Sequence, residues 1–113
     1  MRKVTQTTVD AFMDDEYAKV GSTETDGNRY FLHGNLIAYK QDDDVMVVND
    51  CGQLTATTYD RLHALIFAWT NGKFGASRRN GGVIIDRESR EEIPLLADTA
   101  IDRDYGILGT VTE

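Results

Sequence analysis

Residues 29–40, RYFLHGNLIAYK, decide the fold. The stretch is either a functional loop built around His33 or a hairpin that builds a core. Two apolar runs, Tyr30–Leu32 and Leu36–Tyr39, flank Gly34-Asn35. Glycine enters the left-handed backbone region without a Cβ penalty, so a glycine-first pair suits a type II′ reversal. Alternation at period two on either side suits strands. The hairpin is therefore the expected structure.

Working outward, Asp26-Gly27 suits a type I′ reversal, and Gln41–Asp44 makes a loop. These turns predict a four-stranded antiparallel meander over about 22–25, 28–33, 36–40 and 45–49. Loop lengths set the register. His33 is expected opposite Leu36, Leu32 opposite Ile37, Phe31 opposite Ala38 and Tyr30 opposite Tyr39. In the next pair Tyr39 meets Met46, Ala38 meets Val47 and Ile37 meets Val48. One face then collects Tyr30, Leu32, Ile37, Tyr39, Met46 and Val48, the expected core. The other carries Glu24, Arg29, Phe31, His33, Leu36, Ala38, Lys40, Val45 and Val47, with Glu24 opposite Arg29. That second face is too apolar to stand open in water. A C-terminal segment, a second subunit or a partner protein would cover it.

Helical spacing predicts a first helix over 7–21, TTVDAFMDDEYAKVG, with Val9, Phe12, Met13, Tyr17 and Val20 as its apolar stripe. Thr7 and Asp10 open it, and Gly21 stops it. A second helix is predicted within LTATTYDRLHALIFAWTNG, residues 54–72. Thr57 caps it, Asp60 sits at N3, and Asn71-Gly72 ends it. Tyr59, Leu62, Leu65, Ile66 and Trp69 form its buried stripe, with Asp60, Arg61, Ala64 and Ala68 outside. KFGASRRNGGVIID, residues 73–86, reads as a further hairpin, with Phe74–Arg78 and Val83–Asp86 as strands around NGG. Pro94 in EEIPLL marks an extended or edge segment. From about residue 93 the tail has weak periodicity and is expected to add an edge strand, cover a face or stay mobile. The fold class expected is α+β: an antiparallel four-stranded meander, two packed helices and a C-terminal hairpin in a single domain spanning 1–113.

Composition excludes several function classes. The chain of 113 residues carries 19 acids against 12 Lys and Arg, a formal charge of -7. Nucleic-acid affinity rests on basic side chains neutralising phosphates, so no nucleic-acid partner is expected. From Asp86 to Glu113 eight acids face three arginines, a solvated acidic surface suited to basic partners. No apolar run approaches the roughly 20 residues of a membrane span, so no membrane association is expected. The N-terminus turns polar after Val4 and does not resemble a secretory signal. A single cysteine, Cys51, excludes an internal disulfide and fits a reducing compartment.

No catalytic set emerges. His33 closes the hairpin, and His63 sits on the flank of the second helix. His33 reads as a space-filling residue making one hydrogen bond, and His63 as a histidine at the boundary of the buried stripe. Cys51, in NDCGQ, needs a base nearby to become a nucleophile, and strand spacing leaves His33 roughly 10 Å away. Two histidines and one cysteine do not make a zinc site. DDDVMVVND lacks the glycine and terminal glutamate of a calcium-binding loop. GKFGASRRNGG has no GxxxxGK(S/T) spacing and no strand-to-helix context, so it resembles a phosphate-binding loop only loosely. Arg78 and Arg79 form one compact basic spot, suited to an anion or an acidic partner. No metal or cofactor is expected. The binding candidates are Phe31, His33, Leu36 and Val47 on the second sheet face, with Arg78 and Arg79.

TQTTVDAF, STETDGNRYFLHGNLIA and TATTYDRLHAL occur here in an order that resembles a group of small bacteriophage-encoded proteins of unknown function. The resemblance covers Thr5 to Leu65, with a looser likeness from Phe74 to Asp86. Position 63 departs from the pattern, carrying His where Asn is usual. Most of these motifs are turns and caps, and so speak for fold more than function. The resemblance implies a phage accessory protein in the cytoplasm of the bacterial host, binding a host or phage protein or an antiviral system. Two alternatives are a small-ligand or nucleotide binder, or an enzyme, using a pocket between sheet and helices, and a self-assembling virion or structural component.

Overall fold

A computed structural model describes residues 2–95 and 97–111. Leu96 of EEIPLL and the tail's last two positions lie outside the described residues. Helix α1 spans Lys3–Met13. It begins before Thr7, and buries Thr5, Thr8, Val9 and Phe12. It also ends well before Gly21. Tyr17 and Val20, placed on its stripe by helical spacing, are 64% and 39% exposed. Three successive acids, Asp14–Glu16, follow Met13, and negative charge is unfavourable at a helix C-terminus. The chain leaves the helix there, with Asp15 at φ 58 and the Glu16 N–H bonded to the Ala11 carbonyl. Ala18–Val20 then forms β1.

The remaining elements are β2 (Thr23–Thr25), β3 (Arg29–Leu32), β4 (Asn35–Lys40), β5 (Val45–Val48), α2 (Ala56–Trp69), β6 (Phe74–Ser77), β7 (Val83–Asp86), β8 (Glu92–Pro94), β9 (Thr99–Asp102) and β10 (Gly106–Thr110). The fold is α+β, and its central meander and C-terminal hairpin agree with the sequence reading. The large sheet runs β1-β2-β3-β4-β5-β9-β10, with every neighbouring pair antiparallel. The tail therefore supplies two of its strands. A second sheet, β6-β7-β8, places Pro94 on an edge strand, where its missing N–H costs no ladder bond.

Both tight reversals differ in register from the expectation. The β2–β3 turn centres on Gly27-Asn28, so Glu24 faces Phe31 and not Arg29. The Asp26 carboxylate fixes this turn by accepting the N–H groups of Asn28 and Arg29 at 2.9 and 2.7 Å. Those bonds, that from the Arg29 N–H foremost, hold its pKa down to about 2. A Cβ on Gly27 would lie 2.5 Å from the Asp15 backbone, so the turn can seat against α1's end only with glycine. The β3–β4 turn centres on His33-Gly34, at φ 52 and 79, with Leu32 opposite Asn35. Two left-handed residues make it type I′, the reversal that matches strand twist.

Beyond that turn β4 carries a bulge. Phe31 faces Leu36 and Tyr30 faces Ala38, which leaves Ile37 as an extra residue. Ile37 and Ala38 both enter the core. Every later residue of β4 then changes face. Ala38 pairs with Val48, Tyr39 with Val47 and Lys40 with Met46. Tyr39, expected in the main core with Tyr30, packs instead with Val45, Val47, Ala100 and Val111 on the far side. Ala38 and Lys40, expected on that far side, turn toward the helices. Strict period-two alternation cannot register an inserted residue, and this is why the prediction failed at those positions.

The main core joins Val9 and Phe12 of α1 to Tyr30, Leu32, Ile37, Met46 and Val48 of the sheet and to the α2 stripe. Phe12 meets Tyr30 edge-on at 5.9 Å. The Tyr30 hydroxyl lies 2.7 Å from that of Thr8, and burial pushes the phenol up to about 12. Tyr59, Leu62, Leu65, Ile66 and Trp69 are all buried, as the stripe predicted. Thr55, not Thr57, caps α2 by accepting the Thr58 N–H. Arg61 and Ala64, expected outside, are buried. The Arg61 guanidinium donates to Thr5 and to Asp60, tying α2 to α1. Burial alone would raise the Asp60 carboxyl, but the Thr5 hydroxyl and Arg61 more than offset it and hold it low. The Trp69 indole N–H is shared by the carbonyls of Asp44 and Ile101, linking α2 to the β4–β5 loop and β9.

Lys40 joins these parts. Its ammonium bonds the Phe12 carbonyl, the Gly27 carbonyl and the Asp15 carboxylate, above the Phe12 ring. Lys40→Met keeps the apolar stem but leaves two carbonyls without their cationic donor. It is expected to lower stability by roughly 2–3 kcal/mol, the worth of charge-assisted hydrogen bonds. Urea denaturation checks this: the midpoint should fall with the slope unchanged. An unchanged midpoint would show that the ammonium is not the tie.

Candidate functional site

Both helices pack on one face of the large sheet, and the opposite face carries the first candidates. Phe31 and Leu36 are cross-strand partners there. Phe31 is half-buried, with the Arg29 guanidinium 5.7 Å from its ring centre. Leu36 is 36% exposed. His33 stands exposed in the turn beside them. Val47 does not belong to this surface. It is 1% exposed, packed with Val45, Ala100, Tyr39 and Val111. Among the described residues, the C-terminal segment thus covers the β5–β9 part of the face with Tyr39 of β4 and leaves Phe31 and Leu36 outside that cover. A hollow of about 80 Å³ lies between the two parts, with Leu36 and Tyr39 on one side and Asn49 and Asp98 on the other.

Cys51 borders the same region but is not poised as a nucleophile. Its thiol points to the Leu36 carbonyl at 3.2 Å. Burial first, then the negative charges of Asp50 and Asp98, push its pKa up. A thiolate needs the reverse environment.

The two arginines separate. Arg78 is exposed at the start of the Arg79–Gly81 3-10 turn. Arg79 forms an ion pair with Glu92 at 2.8 Å and borders a cavity of about 190 Å³ between α2 and the small sheet. Arg87, Arg90 and His63 share that wall. The His63 Nδ1 accepts the Ala76 N–H at 3.0 Å. Its ring lies so close to β6 that a Cβ on Gly75 would be 2.5 Å from it. Arg87 donates to the Gly72 carbonyl at 2.9 Å, and its guanidinium lies 4.8 Å from the Phe67 ring centre. A larger, shallower hollow of about 520 Å³ lies next to it, lined by charges of both signs: Lys73, Asp86, Arg87 and Glu88.

Sequence reasoning missed Arg87 and Arg90 because they flank the β7–β8 turn, and the edge segment around Pro94 was not paired with Val83–Asp86. One signal was available. Gly75 falls inside a strand, where glycine marks the close approach of another group. Among the described residues, no three His, Cys, Asp or Glu side chains converge as metal ligands would, and no helix is long and apolar enough to cross a membrane.

A family model described as Kyanoviridae Gp96 protein matches residues 1–102. No curated protein and no solved structure matches the chain.

The His63–Gly75 contact makes a direct prediction. Gly75→Ala should destabilise the protein by about 1–3 kcal/mol, as overpacking does. Removing the ring in a Gly75→Ala/His63→Ala double variant should cost less than the two single changes summed. Thermal melting of the four proteins checks both. Additive losses would mean that the ring does not meet the strand at this glycine.

Proposed function

We propose, from the premise that this chain belongs to the Kyanoviridae Gp96 family of phage proteins, that it is an accessory protein acting by binding another protein. The observation that carries this reading is the uncovered Phe31–Leu36 pair on the helix-free face of the large sheet. Aromatic rings and arginine are enriched at protein contact surfaces, and here Phe31 has the Arg29 guanidinium over its ring with the exposed Leu36 extending the apolar patch. Among the described residues, the cover that includes Val111 packs with Val45, Val47, Ala100 and Tyr39 and does not include Phe31 or Leu36. The partner class is a host protein or a component of an antiviral system, met in the cytoplasm of the bacterial host. The charge of -7 favours a basic partner by steering the encounter.

Capture of a host protein by immobilised wild-type chain, compared with capture by surface variants, tests this. Phe31→Asp and Leu36→Asp should each weaken capture at least about tenfold, a change of roughly 1.4 kcal/mol. Tyr105→Asp, on an exposed loop residue, should leave it intact, and all three should melt close to wild type. Equal capture by Phe31→Asp and Leu36→Asp would overturn the reading. So would a concentration-dependent dimer abolished by the same two changes, which would give the face to self-assembly.

A further inference from the structure

The cavity between α2 and the small sheet has a charge pattern that the rest of the chain does not share. The protein has 19 acids and 12 Lys and Arg. Yet the ionisable side chains lining this cavity are Arg79, Arg87, Arg90 and His63, with no carboxylate among them. The neighbouring acids are already engaged, one of them with the cavity's own Arg79. Glu92 pairs with Arg79 and also accepts from Asn80. Asp86 accepts the N–H groups of Glu88 and Ser89. Arg79 has its counter-charge in Glu92, but among the described residues Arg87 and Arg90 make no ion pair, and an anion between their exposed guanidinium groups would supply that charge-assisted contact.

Arg87 and His63 on the wall are anchored with donors to spare. Arg87 is fixed by the Gly72 carbonyl and by its position over Phe67, which leaves further guanidinium N–H groups free to point elsewhere. Arg90 takes a left-handed φ of 68, and its N–H bonds the Asp86 carbonyl, closing the β7–β8 turn. Its guanidinium has no partner among the described residues. His63 is oriented by the Ala76 N–H on Nδ1, so the ring's own proton sits on Nε2. Among the described residues no acceptor takes that proton. Gly75 makes the room in which the ring can sit this way.

We infer that this cavity binds the phosphate group of a small phosphomonoester. Guanidinium forks match oxyanions in pairs of parallel hydrogen bonds. A monoester offers three acceptor oxygens to a wall of several donors, where a carboxylate offers fewer. The volume of about 190 Å³ is below the roughly 300–1,000 Å³ of pockets for drug-sized ligands. It accommodates a phosphate and a short carbon chain against Ile85, not a whole nucleotide.

Thermal shift and calorimetric titration with inorganic phosphate, glycerol 3-phosphate and malonate, all at one ionic strength, test this. Both phosphates should raise the melting temperature saturably, glycerol 3-phosphate more than inorganic phosphate, and malonate least. Arg90→Gln and Arg87→Gln should each weaken phosphate binding roughly tenfold or more. Arg78→Gln, outside the cavity, and Phe31→Asp, on the sheet face, should bind as wild type. That last result keeps the test independent of the protein-binding surface. No saturable shift with either phosphate, an undiminished response in Arg90→Gln, or preference for malonate would overturn the assignment.

Discussion

Ile37 has no partner on β3, and much of the molecule is arranged around that one inserted residue. A bulge sends two consecutive side chains to the same face and reverses the alternation beyond it. Here Ile37 and Ala38 both reach the main core, Tyr39 turns out and Lys40 turns in. Lys40 then meets the carbonyl end of α1, the Gly27 turn and Asp15 at one point. A cation at a helix C-terminus is favourable, and this one also fixes where β2 and β3 lie against the helix. Tyr39, on the other side, lies over Val47 with Val111 and helps close the β5–β9 part of the outer face. The residue that docks the helix and the residue that limits the exposed surface are neighbours, separated by the sheet itself.

The strands β2 to β7, both helices and the α2 stripe were legible because each rests on local pattern. Turn residues such as Gly27 and Gly34, and the spacing from Tyr59 to Trp69, are read without knowing what lies across from them. The misreadings differ in cause. Tyr17 and Val20 continue a helical period that the backbone abandons at Asp14. Tyr39 continues a strand period that the bulge resets. Arg61 resembles a surface arginine until Thr5 and Asp60 supply its partners from α1 and from its own helix. The end of α1 follows a local run of acids, whereas the bulge is set by pairing across the sheet and the Thr5 partner of Arg61 comes from α1, and one sequence does not display such long-range contacts. The tail was illegible for the same reason, since β9 has a place in the sheet only because β5 is beside it.

The candidate surfaces were legible to different degrees. Phe31 and Leu36 stood out as apolar residues on a face that no helix was expected to cover, and they do share that face. Val47 was assigned to it by the same alternation, but the tail buries it. Arg79 was visible as half of a basic pair, whereas the group it joins is drawn from α2 and the β7–β8 turn. The sheet face and the cavity are built from different residues and carry different chemistry. One is an aromatic-aliphatic patch, and the other is a cationic hollow in an acidic chain. Membership of the Kyanoviridae Gp96 family places the chain among phage proteins without assigning a role to either surface.

The register that the bulge imposes can be read directly by nuclear Overhauser spectroscopy. The Asn49 N–H bonds the Ile37 carbonyl and the Gln41 N–H bonds the Val45 carbonyl, so Ala38–Val48 and Lys40–Met46 fall at the alternate, non-hydrogen-bonded pairs, where Cα atoms come closest. Strong Hα–Hα cross-peaks between Ala38 and Val48 and between Lys40 and Met46 are the predicted result. Cross-peaks placing Tyr39 opposite Met46 would mean an unbulged strand, with Lys40 turned away from α1, and would contradict the structure's central feature.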